Sequence, residues 1–129
     1  MRLSKRSLAL AITSAATVGV ITGTAGPASA STPCTAPHLC AYVDASYGGS
    51  MFPFASSDGN WSNDSQGEGF INDEASSIKN TLSVTAGVWQ DASWGGPFIW
   101  CGSPGAVVSS LGSKTDEASS NWHGDCNSH

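Results

Sequence analysis

Positive charge is scarce in this sequence of 129 residues. It contains five Lys and Arg against ten Asp and Glu, which gives a formal net charge of −5. Three of the five basic residues, Arg2, Lys5 and Arg6, lie within the first thirty positions. A chain this acidic has no electrostatic attraction to phosphate backbones or anionic membranes, so we expect neither nucleic acid nor a membrane as a partner. The charge partners that remain are cations and basic surfaces on other proteins.

The sequence also lacks the patterns of the common catalytic sites. His38, His123 and His129 do not have the spacing of a His-x-x-x-His metal site, and no Gly-x-Ser-x-Gly elbow is present. Two Asp-Glu pairs occur, but carboxylates adjacent in sequence do not face each other across a substrate. We therefore expect a protein that is not an enzyme.

Long hydrophobic runs are missing as well. The apolar stretch from Leu8 to Ile21 is interrupted by Thr and Ser and is too short to cross a bilayer. Basic residues precede this stretch and Ala28-Ser29-Ala30 follows it, which predicts a signal peptide over residues 1–30. The chain is then secreted and extracellular. Residues 31–129 remain as one small domain with two Lys and all ten acidic residues, of a size that benefits from covalent cross-links.

The sequence does contain one passage twice. Tyr42-Val-Asp-Ala-Ser-Tyr-Gly-Gly returns as Trp89-Gln-Asp-Ala-Ser-Trp-Gly-Gly, an offset of 47 residues from Asp44 to Asp91. Asn72-Asp-Glu-Ala-Ser-Ser returns as Thr115-Asp-Glu-Ala-Ser-Ser, an offset of 43 from Asp73 to Asp116. The copies thus differ by four residues between the two motifs. This repeat predicts a duplicated supersecondary unit whose two copies bury their apolar faces against each other.

The spacing of turn residues indicates β structure. Gly, Ser, Asn and Asp recur every eight to twelve residues, and no stretch has a helical period. The glycine pairs at 48–49 and 95–96 suit tight hairpins. We predict an all-β domain of two four-stranded units, about 40–80 and 87–123. The Ser56–Gly69 segment is polar and is predicted to be a surface loop.

Four cysteines in an exported chain predict two disulfides. When the two copies are aligned, Cys101 falls opposite Phe54 and Cys126 opposite Ser83, so both are missing from the first copy. The other two cysteines are likewise both missing from the second copy. Cysteines that are gained or lost as pairs favour the bonds Cys34–Cys40 and Cys101–Cys126.

The repeated motifs resemble those of a known superfamily. Aromatic-x₄-aromatic-x-Gly is the Greek-key signature of the βγ-crystallins, and Asn-Asp-x-x-Ser-Ser is the calcium signature of their microbial members. The resemblance covers nearly all of residues 31–129 and implies a sandwich of two Greek keys related by a pseudo-twofold axis. Among secreted proteins, the chain is most similar to the actinobacterial metallopeptidase-inhibitor family, which has this fold, a signal peptide and two disulfides.

The acidic loops are the predicted metal sites. Each loop supplies the oxygen ligands that calcium prefers, and the resemblance implies two ions. The side-chain ligands of the first site are Asn72, Asp73 and Ser76, and those of the second are Thr115, Asp116 and Ser119. The resemblance adds main-chain carbonyls of Glu74 and Ala92 to the first site and of Glu117 and Ala45 to the second. Thr115 departs from the usual Asn or Asp, and an alternative is that these residues only cap turns.

Three functions fit the sequence. The first is a monomeric, calcium-binding inhibitor of a secreted peptidase, most similar to inhibitors of metallopeptidases. Its inhibitory loop is then predicted at Trp100, Cys101, Gly102, Ser103 and Pro104, a turn tethered by a disulfide and restricted by proline. The second is a calcium-binding extracellular module without inhibitory activity. The third is a carbohydrate- or cell-wall-binding module that uses exposed tryptophans, of which Trp100 is the one expected to be exposed.

Overall fold

The computed structural model describes residues 31–128, so the predicted leader (1–30) and His129 lie outside the described residues. The described part contains 3-10 turns but no α-helix, and no helix in it is long and apolar enough to cross a membrane. The 3-10 turns are Ala45–Tyr47, Trp61–Asn63, Gly69–Ile71, Ala92–Trp94 and Gly112–Lys114. The strands are β1 (Leu39–Tyr42), β2 (Met51–Phe54), β3 (Ser77–Asn80), β4 (Ala86–Asp91), β5 (Gly95–Gly102), β6 (Val107–Val108) and β7 (Ser120–His123).

The strands form two antiparallel sheets that share segments of both units. Their orders are β2-β1-β3-β6 and β5-β4-β7. In the first sheet, β6 of the second unit pairs with β3 through Ile78 and Val108. Beside β7, the isolated bridge between Asp58 and Asn121 takes the equivalent place. Each sheet therefore includes a piece of the other unit, and the predicted all-β sandwich of two Greek keys is confirmed.

The two hairpin corners have the same backbone shape. Ser46 and Ser93 adopt the left-handed conformation at φ 56° and 57°, and Gly49 and Gly96 do so at 70° and 67°. A Cβ on Gly49 would lie 2.8 Å from a carboxylate oxygen of the aspartate in its own motif, and a Cβ on Gly96 would lie 2.3 Å from the corresponding oxygen in the second motif. The glycine of the motif is therefore required both by its φ and by the aspartate packed over it.

The core lies between the sheets and draws on both units. Its buried members include Ile71 and Ile78 from the first unit and Val88 from the second. Trp61 and Phe54 are fully buried and stack with ring centroids 4.7 Å apart. The large rings fill the centre of a domain that has few other sizeable apolar side chains.

The apparent four-residue difference between the copies is the net of opposite changes. A β-bulge in β5 adds one residue, because Phe52 pairs with Ala41 whereas Trp100 pairs with the equivalent Val88. The second unit has two more extra residues before its bridge, because Val108 lies 50 positions after the equivalent Asp58, instead of the 48 that hold after the bulge. The first unit then has seven extra residues, 62–68, before the 3-10 turns that begin at Gly69 and Gly112.

Both disulfides join the cysteines that the repeat paired. Cys34–Cys40 and Cys101–Cys126 have Cα–Cα distances of 5.9 and 6.3 Å. Cys101 corresponds to Pro53 rather than to the predicted Phe54, because the β5 bulge places Cys101, instead of Trp100, opposite Gly87. A Cβ at Gly87 would lie 2.9 Å from Cys126 Sγ, so this glycine makes room for the second disulfide.

The 56–69 segment is more than the predicted surface loop. Trp61 is fully buried and donates from its indole nitrogen to Asn121 Oδ1 at 2.8 Å. Glu68 is also fully buried, and its carboxylate accepts from the backbone N–H groups of Ser65 and Gln66 at 3.1 and 2.6 Å. The polar composition suggested solvent exposure, but one aromatic ring and one carboxylate satisfied by backbone donors anchor the segment to the sandwich.

Candidate functional sites

The two acidic loops lie side by side and run antiparallel. The backbone N–H of Asp73 donates to the carbonyl of Ala118 at 2.9 Å, and that of Asp116 donates to Ala75 at 3.1 Å. Both aspartates are in the left-handed region, at φ 56° and 63°. This conformation costs on the order of 1 kcal/mol for a residue other than glycine, and both loops adopt it. The duplicated motif therefore has one geometry in both units.

The side chains of the loops cross between the units. Ser119 Oγ donates to Asp73 Oδ1 at 3.0 Å, and Ser76 Oγ donates to Asp116 Oδ1 at 3.5 Å. The motif predicts that each aspartate shares a site with the serine of its own loop, whereas in the structure it bonds to the serine of the other loop. The reason is the antiparallel arrangement, which sets the second position of one loop against the fifth position of the other.

A polar cleft of about 380 Å³ opens beside the Asp73–Ser119 pair. Three of the residues predicted for the first site line it, namely Asn72, Asp73 and Ala92. Glu117 and Ser119 of the second loop also line it, where the prediction had Glu74 and Ser76. We call this opening the acidic cleft, since Asp91 and Asp116 contribute two further carboxylates and no basic residue lines it.

The donor set of the acidic cleft fits a hard cation. Its walls carry carboxylate, amide, hydroxyl and carbonyl oxygens, the ligands that Ca²⁺ takes. The side-chain oxygen Oδ1 of Asn72 is buried and has no hydrogen-bond partner, which a cation would supply. Among residues 31–128, no three His, Cys, Asp or Glu side chains converge as a metal cluster. Hydroxyl, amide and main-chain oxygens would therefore provide much of the coordination.

The last serine of each loop fastens the hairpin of its own unit. Ser77 Oγ donates to the carbonyl of Asp44 at 2.7 Å and accepts from the backbone N–H of Tyr47 at 2.9 Å. Ser120 makes the corresponding bonds to Asp91 and Trp94, at 2.7 and 3.2 Å. The bonds hold the turns that contain Ala45 and Ala92 next to the loops. The sequence showed both serines in the motif but did not reveal this role.

The predicted inhibitory loop is part strand and part turn. Trp100, Cys101 and Gly102 belong to β5, and the turn proper runs from Ser103 to Ala106, whose backbone N–H donates to the Ser103 carbonyl at 2.9 Å. Trp100 is half-buried against the core instead of exposed. A Cβ on Gly102 would lie 2.2 Å from the Trp100 ring, so this glycine makes room for the indole.

Asn80 fixes the shape of this turn from below. It is 1% exposed, and its Nδ2 donates to the carbonyls of Val84, Gly102 and Ser103 at 2.9, 3.0 and 3.2 Å. Its backbone accepts from the N–H of Gly105 and donates to the carbonyl of Ala106, both at 2.9 Å. Nothing in a single sequence marks Asn80 for this role, because most of its partners lie in the second unit.

Shifted pKa values occur outside the acidic cleft. Burial raises the pKa of Tyr42, and the neighbouring Tyr47 adds to that effect. Burial lowers the pKa of His123, and the nearby His38 lowers it further. The Nε2 atom of His123 is buried without a hydrogen-bond partner, which is consistent with a neutral imidazole.

Comparison with known proteins supports both the fold and a function class. The family model described as peptidase inhibitor family I36 matches residues 27–101. No curated protein matches the sequence at a significant level. Solved structures do match: a βγ-crystallin from Ciona intestinalis is 24% identical, with 66% of this chain and 96% of that chain covered and a TM-score of 0.55. A βγ-crystallin from an archaeon is 25% identical, with 69% and 99% covered and a TM-score of 0.54. A βγ-crystallin domain from Clostridium beijerinckii is 20% identical, with 66% and 94% covered and a TM-score of 0.55.

Proposed function

Because the chain belongs to peptidase inhibitor family I36 and has the βγ-crystallin fold, we propose that it is a secreted inhibitor of a metallopeptidase with a calcium-binding scaffold. The family match over residues 27–101 is the observation that carries this function. Members of an inhibitor family bind peptidases and are not themselves enzymes. The metallopeptidase class comes from the similarity of the motifs to a secreted inhibitor family.

The segment from Cys101 to Gly105 has the features of an inhibitory contact. β5 is an edge strand of its sheet, and Cys101, Ser103, Pro104 and Gly105 are exposed. Peptidase clefts bind chain in extended form, and an exposed edge strand offers such a chain already extended. The short turn that follows projects from the same edge.

Both ends of this segment are held in place. The Cys101–Cys126 bond ties β5 to the tail of the domain across 25 residues, and Asn80 donates to the carbonyls of Gly102 and Ser103. A loop ordered before binding loses little entropy in the complex. If the peptidase cuts a peptide bond of this segment, the disulfide and the hydrogen bonds to Asn80 keep the two new chain ends together. The segment is thus suited to inhibit rather than to be digested.

Calcium would support this scaffold from the opposite loops. The residues that would hold it in the acidic cleft are Asp73, Ser119 and Asn72, with the carbonyls of Ala92 and Glu117. A second ion would bind at Asp116 and Ser76, with the carbonyls of Glu74 and Ala45. When bound, the ion would stabilise the native state by mass action, since it bridges loops of both units.

The charge of the domain favours one kind of partner. With two Lys against ten acidic residues beyond position 30, the surface would attract a peptidase whose cleft has a basic rim. The domain would act as a monomer in this complex, without nucleic acid or membrane.

Inhibition assays on purified residues 31–129 test the proposal. We expect inhibition of at least one secreted metallopeptidase in a panel that also contains serine and cysteine peptidases. Changing Cys101 and Cys126 to Ser should abolish inhibition although the sandwich still folds, whereas the matched pair Cys34 and Cys40 to Ser should leave it largely intact. Equal inhibition by both double variants would exclude the Cys101–Gly105 segment. A panel without any inhibited peptidase would contradict the function itself.

A calcium-binding module without inhibitory activity is the second candidate, and the oxygen-lined acidic cleft is the observation in its favour. The carbohydrate-binding alternative receives less support. Trp61 is fully buried, Trp100 is half-buried, and Trp94 and Trp122 pack edge-on against each other at 5.2 Å. These rings are used in packing rather than arranged as a flat stacking surface for sugars.

A further inference from the structure

One wall of the acidic cleft comes from the long segment of the first unit. Asn60 and Ser62 line the cleft together with Asp73 and Ser119. Neither residue belongs to the duplicated motifs, so no sequence motif predicts their place in the cleft. Their position results from Trp61, which lies between them and whose ring is buried in the core.

The position of this wall is fixed by bonds to the second unit. The backbone N–H of Trp61 donates to the carbonyl of Ser119 at 2.9 Å, and the Trp61 ring is fully buried. Asp58 and Asn121 exchange backbone bonds of 3.0 and 2.8 Å just before it. Ser62 is therefore held beside the same serine whose hydroxyl contacts Asp73.

The second unit makes the same backbone bond but offers no such side chain. There, the N–H of Leu111 donates to the carbonyl of Ser76 at 2.9 Å. The chain then turns at Gly112, at φ 61°, which corresponds to Gly69, so the second unit has no counterpart of the segment 62–68 that begins with Ser62. A Cβ built on Gly112 would meet nothing within 4 Å. The Asp73–Ser119 pair thus has a neighbouring hydroxyl from a segment that the second unit lacks.

The hydroxyl of Ser62 is oriented by Asn60. Ser62 Oγ donates to Asn60 Oδ1 at 2.6 Å, and the backbone N–H of Ser62 donates to the same oxygen at 3.1 Å. Since the proton of the hydroxyl points to Asn60, its oxygen lone pairs are left for another partner. In the same cleft, the buried Oδ1 of Asn72 also has no hydrogen-bond partner. Two neutral oxygens therefore lack a positive partner there.

We propose that Ser62 Oγ is an additional ligand of a divalent cation at the Asp73–Ser119 site, which makes this site the tighter of the two. The inference rests on the calcium-binding part of the proposed function. Ser62 replaces one water molecule in the coordination sphere of the first ion. The second unit lacks the 62–68 segment, so water takes the corresponding position at the second ion.

Calcium titration calorimetry compares the wild type with Ser62→Ala. We expect the tighter site to weaken by roughly fivefold, as for the loss of one neutral ligand, while the weaker site and the calcium-free melting temperature stay unchanged. Ser65→Ala is the matched control, because Ser65 is an exposed serine of the same segment that does not line the cleft. This control should bind calcium as the wild type does.

Europium luminescence lifetimes in H₂O and D₂O separate a ligand from a residue that only positions others. With Eu³⁺ at the tighter site, Ser62→Ala should gain about one inner-sphere water, and Ser65→Ala should gain none. Unchanged affinity and hydration in Ser62→Ala, or equal losses in both variants, would overturn the proposal for Ser62 while leaving calcium binding intact. If the wild type binds no calcium at all, the calcium scaffold and this inference both fail, and the inhibition assays remain a separate test.

Discussion

The two Greek-key units differ in the side chains that cover their hairpin corners. In the first, Lys79 Nζ lies 4.2 Å from the centroid of Tyr47. In the second, Trp122 takes the place of Lys79 and Trp94 that of Tyr47, and the two rings pack edge-on with their centroids 5.2 Å apart. A cation over an aromatic face and an aromatic edge on an aromatic face are interactions of similar size, about 0.5–1.5 kcal/mol. The corner therefore needs a favourable contact with its aromatic ring, and more than one residue type provides it.

The backbone bonds between the units, in contrast, are nearly the same. Ser46 N–H donates to Ser109 at 2.7 Å, and Ser93 N–H donates to Gly59 at 2.6 Å. The bonds from Trp61 to Ser119 and from Leu111 to Ser76 are both 2.9 Å. Main-chain bonds thus define the shared frame, and the side chains on it can diverge. The first unit has used this freedom to bury a tryptophan, and the second to present a tethered turn.

Trp61 and Leu111 occupy the same backbone position, and their replacement should separate the two units most strongly. Trp61→Ala removes a fully buried ring stacked on Phe54 and leaves the Oδ1 of Asn121 without its donor. We expect a loss of about 3–5 kcal/mol in the free energy of unfolding, against roughly 1–2 kcal/mol for Leu111→Ala at a half-buried site. Urea denaturation measures both.

If Trp61→Ala does not fold, Trp61→Phe is the milder variant, with an expected loss of about 1–3 kcal/mol from the unpaired Asn121 oxygen. Equal losses for Trp61→Ala and Leu111→Ala would show that the long segment adds no core stability to the first unit.

The two disulfides should contribute unequally to stability. Cys101–Cys126 closes a sequence separation of 25 residues and Cys34–Cys40 one of 6. The entropy of loop closure predicts about 3–4 kcal/mol for the first and about 2 kcal/mol for the second. In thermal unfolding of the two double Cys→Ser variants, the melting temperature should therefore decrease more for the Cys101 and Cys126 variant. The opposite order would mean that Cys34–Cys40 stabilises the packing of the folded state in addition to reducing the entropy of the unfolded chain.

Calcium should stabilise the two crossed sites to different extents. At calcium concentrations ten to a hundred times the Kd, we expect a rise of roughly 1–3 kcal/mol in the free energy of unfolding. Asp73→Ala should remove most of this rise and Asp116→Ala a smaller part, because the first site has the richer set of oxygens. Melting temperatures with calcium and with EDTA give the comparison. A wild type whose melting temperature does not respond to millimolar calcium would mean that the loops are only turns.

Local motifs made much of this structure predictable, and contacts between the units account for the rest. The sandwich, the hairpin glycines and the cysteine pairs follow from the repeat, since each is encoded within a short stretch. The crossed bonds of Ser76 and Ser119 could not be predicted from the repeat, because they depend on how two loops that are distant in sequence pack together. Burial of Trp61 within a polar segment was equally hidden. The one-residue bulge in β5 was masked by larger insertions of opposite sign.

The smallest effect that we predict distinguishes the equivalent residues Asn80 and His123, which pair with Leu39 and Ala86 at the ends of β3 and β7. Asn80 does not titrate, whereas burial, with His38 as a lesser cause, lowers the pKa of His123 below its ordinary value of 6.5.

Above pH 6.5 the imidazole of His123 is neutral in both the folded and the unfolded chain, so the group has no effect on stability. As the pH falls below 6.5, the unfolded chain takes up a proton first and stability decreases, until the pH drops below the folded pKa and the loss levels off. His123→Gln should therefore give a free energy of unfolding that changes less between about pH 7 and pH 5. Urea denaturation at half-unit steps of pH measures the slope, and His38→Gln should flatten it only slightly. An unchanged slope in His123→Gln would assign the acid sensitivity to other groups.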